Sequence, residues 1–147
     1  MTDCANHREN PHPDNTTHLT WVAECERLCL DFAYFVDRRD YARAVALFTA
    51  DGTFTRNGDT LHGPGAILQS MHARPAEIDT RHVCTNIRID IGPDSTSARG
   101  TSYLTLYRGP KSGDGTVAAT VVAEFDDRYQ RTPGGWRIAS RVVRFAF

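Results

Sequence analysis

The residue best placed to do chemistry in this chain is His82, inside the strand-like run Arg81-His82-Val83-Cys84-Thr85-Asn86-Ile87. An imidazole titrates near neutral pH, so a histidine on the concave side of a curved sheet can take a proton from a substrate and return it. The cysteines raise a second chemistry. Cys25 and Cys29 are four residues apart in a helical pattern, Cys84 lies two beyond His82, and Cys4 stands near the N-terminus. Two separated pairs fall short of a closed zinc set, so no metal site is expected. Residues 1–20 are polar and carry no apolar signal core, so buried thiols in a cytoplasmic protein are expected rather than a disulfide. Among the charged residues, Asp127 with Arg137 or Arg141 reads as a structural pair across the last hairpin. Glu124 and Asp126 fall on the opposite face of that strand from Asp127. Arg56 ends a small hairpin, where it could hold an anionic group of a substrate.

These side chains must be positioned by a short series of elements. Residues 1–18 show no hydrophobic period and read as a flexible arm before a domain spanning 19–147. Thr20 is a plausible helix cap, and Trp21, Cys25, Leu28, Cys29, Phe32 and Val36 then mark one face of a long helix. Asp40 caps a short second helix with Tyr41, Ala44, Val45, Leu47 and Phe48 on its apolar side, ended by Ala50-Asp51-Gly52. Asn57-Gly58-Asp59 is the turn of a small hairpin. Gly63-Pro64-Gly65 opens a third helix that stops before Pro75. Four strand-like segments follow, at 79–91, 97–108, 116–131 and 135–147, the last two joined by Pro133-Gly134-Gly135. Helices followed by long antiparallel strands predict an α+β fold. Strict alternation places His82, Cys84 and Asn86 on one face of their strand and Val83, Ile87, Ile89 and Ile91 on the other, an apolar face that a second subunit is expected to cover.

The bulk properties exclude several classes. With 147 residues and 40% hydrophobic content, the chain can bury one core. Its net charge of −1 and the lack of any Lys/Arg run argue against a nucleic-acid partner. No apolar stretch nears the ~18 residues that would span a bilayer, so no membrane association is expected.

Several segments together resemble the nuclear-transport-factor-2-like superfamily, in its SnoaL-like branch with the scytalone dehydratase and bile-acid dehydratase relatives. They are Tyr34-Phe35-Val36-Asp37-Arg38-Arg39-Asp40-Tyr41, Ala46 to Gly52, Gly63 to Ile67, Arg81 to Asn86, and Gly135 to Arg141. The resemblance covers nearly the whole chain after residue 20. It implies a cone-shaped α+β barrel with three N-terminal helices on the concave face of a strongly curved six-stranded mixed sheet, dimerised through the outer sheet face. It also implies work without a cofactor on small hydrophobic compounds, as in polyketide or aromatic metabolism.

In the dehydratase relatives a histidine on the third strand takes a proton from carbon, and an aspartate ending the first helix orients it. His82 and Asp37 match those positions. The resemblance therefore implies a lyase or isomerase acting on a cyclic or aromatic hydroxy-carbonyl compound, with Tyr34 or Tyr103 (or Tyr107) as donor to the developing enolate. Trp21, Phe32, Phe35, Phe54 and Met71 are the expected apolar walls, with Arg56 and Ser102 as polar lining. The pattern also departs from those relatives. Ser102 stands near the place of a second histidine, Arg56 that of a tyrosine, and Phe32 matches the bile-acid dehydratase tyrosine better than Tyr34. Thr55-Arg56-Asn57 lacks the steroid isomerase carboxylate, and Arg99-Gly100-Thr101 lacks that of the epoxide hydrolases. The alternative reading is a non-catalytic ligand-binding or assembly module, such as the small subunit of ring-hydroxylating dioxygenases.

Overall fold

The computed structural model describes residues 13–113, 115 and 117–147. Most of the expected arm, and Cys4, lie outside the described residues. The first helix, α1 (Asn15–Asp37), starts earlier than its hydrophobic period suggests. Its cap is Asp14, whose carboxylate accepts from Thr17 N at 2.8 Å, and Asn15 to His18 are helical rather than part of the arm. Thr20 lies inside the helix and donates its hydroxyl back to the Thr16 carbonyl, the usual use of a mid-helix threonine. The buried face of α1 carries Cys25, Leu28, Cys29, Phe32 and Val36. The helix ends at Asp37 because Arg39 turns into the left-handed region, at φ 59°.

Asp40 caps α2 (Tyr41–Val45) as the sequence suggests, its carboxylate accepting from Arg43 N. That helix is one turn long. Phe48 already begins β1 (Phe48–Arg56), so Ala50-Asp51-Gly52 lies within a strand and does not terminate a helix. Asn57 and Gly58 both adopt positive φ, 54° and 82°, which closes a tight hairpin onto β2 (Asp59–His62). Then come α3 (Gly63–His72), β3 (Ile78–Ile91), β4 (Ser97–Pro110), β5 (Ala119–Thr132) and β6 (Gly135–Phe145).

The six strands form one sheet in the order β2-β1-β6-β5-β4-β3, with β1 and β6 parallel and the other neighbours antiparallel. The fold is α+β, three helices packed against a mixed six-stranded sheet. The sheet stays open rather than closing into a barrel, since β2 and β3 each have a single strand neighbour.

One irregularity decides which side chains face the core. Between Thr85 and Arg88 the register of β3 against β4 slips, so that Asn86 and Ile87 together oppose the single residue Ser102. Asn86 sits at φ 52°, a left-handed conformation that asparagine tolerates better than most residues. The bulge resets the alternation. His82 and Cys84 point inward before it, and Ile87, Ile89 and Ile91 point inward after it, packed against the core. The isoleucines therefore do not form the outer apolar face expected from strict alternation. Ile89 lies over Gly100 on β4, where an added Cβ would come within 2.7 Å of its Cδ1. What the outer face does expose is Val83, Tyr103, Tyr107 and Val122.

Replacing Asn86 with a β-branched residue should cost about 1–2 kcal/mol, because φ above zero is strained for such a side chain. Urea unfolding of Asn86→Val beside Asn86→Gly measures this. Only the valine variant is expected to lose stability, and equal midpoints would show that the bulge does not depend on the residue's backbone preference.

Candidate functional site

Asp37, the last residue of α1, reaches β3 through three hydrogen bonds. Asp37 Oδ2 accepts from the backbone N–H of His82 at 2.8 Å, and Oδ1 lies 2.5 Å from His82 Nδ1. Oδ1 also accepts from the Thr80 hydroxyl at 2.9 Å. Thr80 in turn accepts from Arg74 Nη2 at 2.8 Å, and Arg74 Nη1 donates to the Val36 carbonyl at 3.3 Å. The loop entering β3 is pinned by Arg39, whose Nη2 donates to the carbonyls of Pro75 and Ile78, each at 2.6 Å. Both side chains of the dyad are largely withdrawn from water, His82 at 12% and Asp37 at 7% exposure.

Burial pushes the Asp37 carboxyl up, but the hydrogen bonds from the ring and backbone of His82, with that from Thr80, outweigh it. The net result is a carboxyl held below its usual range. An ionised carboxylate only accepts, so His82 Nδ1 carries a proton, and in the neutral imidazole the lone pair is on Nε2. No group among the described residues hydrogen-bonds Nε2. The His82 ring lies on the wall of a cavity of about 520 Å³ between the helices and the sheet.

The wall is mostly apolar. Phe32 and Val36 come from α1, Phe54 from β1, Met71 from α3, Leu104 and Leu106 from β4, Phe125 from β5 and Val143 from β6. Phe32 is ringed by Phe48, Phe54 and Phe125, with centroids 5.9–6.2 Å away. Beneath this aromatic floor lies Arg141, its Cζ 4.1 Å from the centroid of Phe125 and 4.6 Å from that of Phe32. Its guanidinium donates to both oxygens of Asp127, Nε at 2.8 Å and Nη2 at 2.6 Å, and Tyr129 donates its hydroxyl to the same carboxylate at 2.8 Å. Arg141 is thus the structural partner of Asp127, while Arg137 donates to the Trp136 carbonyl.

The structure sorts the expected site residues. His82, Phe32, Phe54, Arg56 and Met71 meet at the cavity, with Asp37 directly behind His82. Tyr34 does not. It is 50% exposed on the outer side of α1, under Arg38 Cζ at 3.6 Å. Tyr103, 54% exposed, faces outward from β4 because Ser102 and Leu104 take the inner positions. Tyr107 is on the same outer side. None of the three tyrosines faces the cavity, where the expected enolate donor would have to stand. Trp21 packs edge-on against Trp136, and Phe35 stacks under Arg43, both away from the cavity. Ser102 is buried beside Cys29, Oγ to Sγ 3.4 Å. Glu124 lies on the outer face, opposite Tyr103.

The cysteines described, Cys25, Cys29 and Cys84, are free thiols, and burial pushes that of Cys25 up to about 12. Sequence reasoning missed Arg74 and Arg108 on the cavity wall. Arg74 falls just past the last turn of α3, where nothing in its neighbours marks it. Arg108 was recoverable from the period of β4, which places it in phase with Leu104 and Leu106.

Three helices against an open six-stranded mixed sheet, with an interior cavity beside the dyad, define the nuclear-transport-factor-2-like, cystatin-like class of folds. Residues 17–142 match the SnoaL-like domain, and the chain belongs to that family. No functionally curated protein matches it by sequence. Its fold is similar to that of a proposed scytalone dehydratase from Novosphingobium aromaticivorans, with TM-score 0.78, 20% identity, and 90% of this chain and 88% of the other covered. A nuclear-transport-factor-2-like protein with a cystatin-like fold from the same organism superposes with TM-score 0.80 at 20% identity, over 89% of this chain and 85% of the other. A hexachlorocyclohexane dehydrochlorinase superposes with TM-score 0.78 at 20% identity, over 91% and 90%. At such identities the likeness is one of fold.

Two predictions follow from the buried charges. Asp127→Ala leaves the guanidinium of Arg141 enclosed without its partner and should cost about 3–5 kcal/mol in chemical denaturation; a loss below 1 kcal/mol would mean that the floor tolerates an unpaired cation. The lowered pKa of Asp37 is a stabilising contribution that is complete above the unfolded-state value of about 3.9 and lost as pH falls through the folded value. Unfolding curves from pH 6 to pH 3 should therefore be less acid-sensitive in Asp37→Asn than in the wild type, and parallel curves would refute this.

Proposed function

We propose that this protein is a cofactor-independent lyase or isomerase that removes a proton beside a carbonyl of a small cyclic or aromatic hydroxy compound. The observation that carries this reading is the His82–Asp37 contact opening onto an apolar cavity. His82 Nε2 is the base. Asp37 holds the tautomer and stabilises the imidazolium once the proton has moved. The low-polarity wall strengthens that interaction, because little water screens it.

With Tyr34 and Tyr103 turned outward, the enolate oxygen needs another donor, and Arg74 fills the role. Two of its N–H groups are committed to Val36 and Thr80, which leaves three of five for a substrate oxygen. Because Arg74 braces Thr80 and Thr80 braces Asp37, base and electrophile are held by one hydrogen-bonded chain. The proton returned by the imidazolium then completes either isomerisation, on a different carbon, or dehydration, on the departing hydroxyl. That dehydratase-like and dehydrochlorinase folds superpose on this chain supports the class of reaction.

Proton abstraction precedes either outcome, so it is the step to measure. Incubation of cyclic β-hydroxyketones in deuterium oxide, followed by NMR, should show exchange or elimination at the carbon beside the carbonyl. His82→Ala should slow it by roughly 10²–10⁴-fold, and Asp37→Asn by a large part of that. Equal rates in the wild type and His82→Ala would sink the reading, as would a panel of such ketones left unchanged by the wild type.

A further inference from the structure

The charge on the cavity wall is one-sided. Arg56, Arg74 and Arg108 contribute to it and no Asp or Glu among the described residues does, since Asp37 is covered by His82 and Thr80. The chain as a whole holds 17 Lys and Arg against 18 Asp and Glu, so this imbalance is local to the site. Arg74 is engaged by Val36 and Thr80. Arg56 and Arg108 are exposed, and their guanidinium groups form no ion pair or hydrogen bond with any described residue.

Strand register places Arg108 close to the reaction centre. Thr80 pairs with Arg108 and His82 with Leu106, so Arg108 is the diagonal cross-strand neighbour of His82, within reach of a long side chain. Arg56 stands at the end of β1, beside Asn57, on the same wall. Two unpaired guanidinium groups at the rim of a pocket lined by Phe32, Phe54 and Phe125 match a flat, ring-bearing molecule with an anionic end. The planar fork of arginine fits the two oxygens of a carboxylate.

We propose that the cavity selects a small aromatic or cyclic carboxylate, with Arg108 and Arg56 holding the carboxylate and the ring lying on the phenylalanines. This specificity rests on the reading of the cavity as a substrate pocket and does not depend on the chemistry assigned to His82. Neutral ring compounds of the same shape enter the same pocket less tightly.

Calorimetric titration of the full chain with cinnamate and with cinnamamide, a pair alike in shape and different in charge, tests it. The wild type should favour cinnamate by about tenfold to a hundredfold, the range of a charge-assisted hydrogen bond, and added salt should shrink the gap. Combining Arg56→Gln and Arg108→Gln should bring the ratio close to one while cinnamamide binding stays unchanged, which also reports an intact pocket. Equal affinities in the wild type, undetectable cinnamate binding, or a preference that survives the double variant would each overturn the proposal. His82→Gln should keep the preference. A His82-dependent exchange reaction without any carboxylate preference would remove this inference alone, and a preference without such a reaction would remove only the catalytic reading.

Discussion

The arrangement depends on the carboxylate of Asp37, because a charged group withdrawn from water must recover its hydrogen bonds from the protein. Three donors supply them, and all belong to β3: the N–H of His82, its ring, and the Thr80 hydroxyl. Hydrogen bonds to a charged acceptor contribute roughly 1.5–3 kcal/mol each, enough to hold the end of α1 against the start of a strand more than forty residues later. The same three bonds orient the imidazole. Fastening the helix to the sheet and preparing the base are one act, so the site cannot loosen without the helix-to-sheet junction loosening too.

A second buried carboxylate, Asp127, lies beneath the aromatic floor of the cavity. It accepts from Arg141 and Tyr129, and the guanidinium it neutralises lies against the faces of Phe32 and Phe125. The aromatic floor thus rests on a cation held by two hydrogen bonds to an acid, and the favourable ring-to-cation contact is obtained without an isolated buried charge. Arg141 Nη1 has no hydrogen-bond partner among the described residues. The rings of Phe32 and Phe125, packed edge to face over the pair, keep the cavity floor apolar.

Electrostatically the pocket sets the His82 imidazole among arginines. The arginines on its wall favour any state in which the substrate gains negative charge, which is what proton abstraction beside a carbonyl creates. In the proposed reaction the donor role expected of a tyrosine passes to a guanidinium, a group that stays charged and donates in a fixed plane. The family brings the fold, and the wall residues bring the chemistry, which is why membership in the SnoaL-like family leaves the reaction to be argued from the site.

Much of this was legible from local signals. The spacing of Trp21 to Val36, the Asp40 cap, the Asn57-Gly58 turn and the alternation of β4 to β6 each depend on neighbours within a few residues, so a linear reading recovers them. The start of α1 was not, because a polar first turn capped by Asp14 has no hydrophobic period to announce it. The contact of Asp37 with His82 entered only through family resemblance, since no local pattern links residues so far apart. Tertiary structure alone decided the rest. The bulge at Asn86 turned three isoleucines inward, because one inserted residue inverts a period of two. Packing against the core likewise left Tyr34 and Tyr103 outside the cavity, because each lies on the face of its element opposite the buried residues. Arg74 reached the wall through the packing of the segment after α3 beside the dyad. Sequence alone determined the elements and their chemistry-bearing residues; which of those residues share one enclosed space was set by strand register and helix orientation, quantities that exist only once the chain has folded.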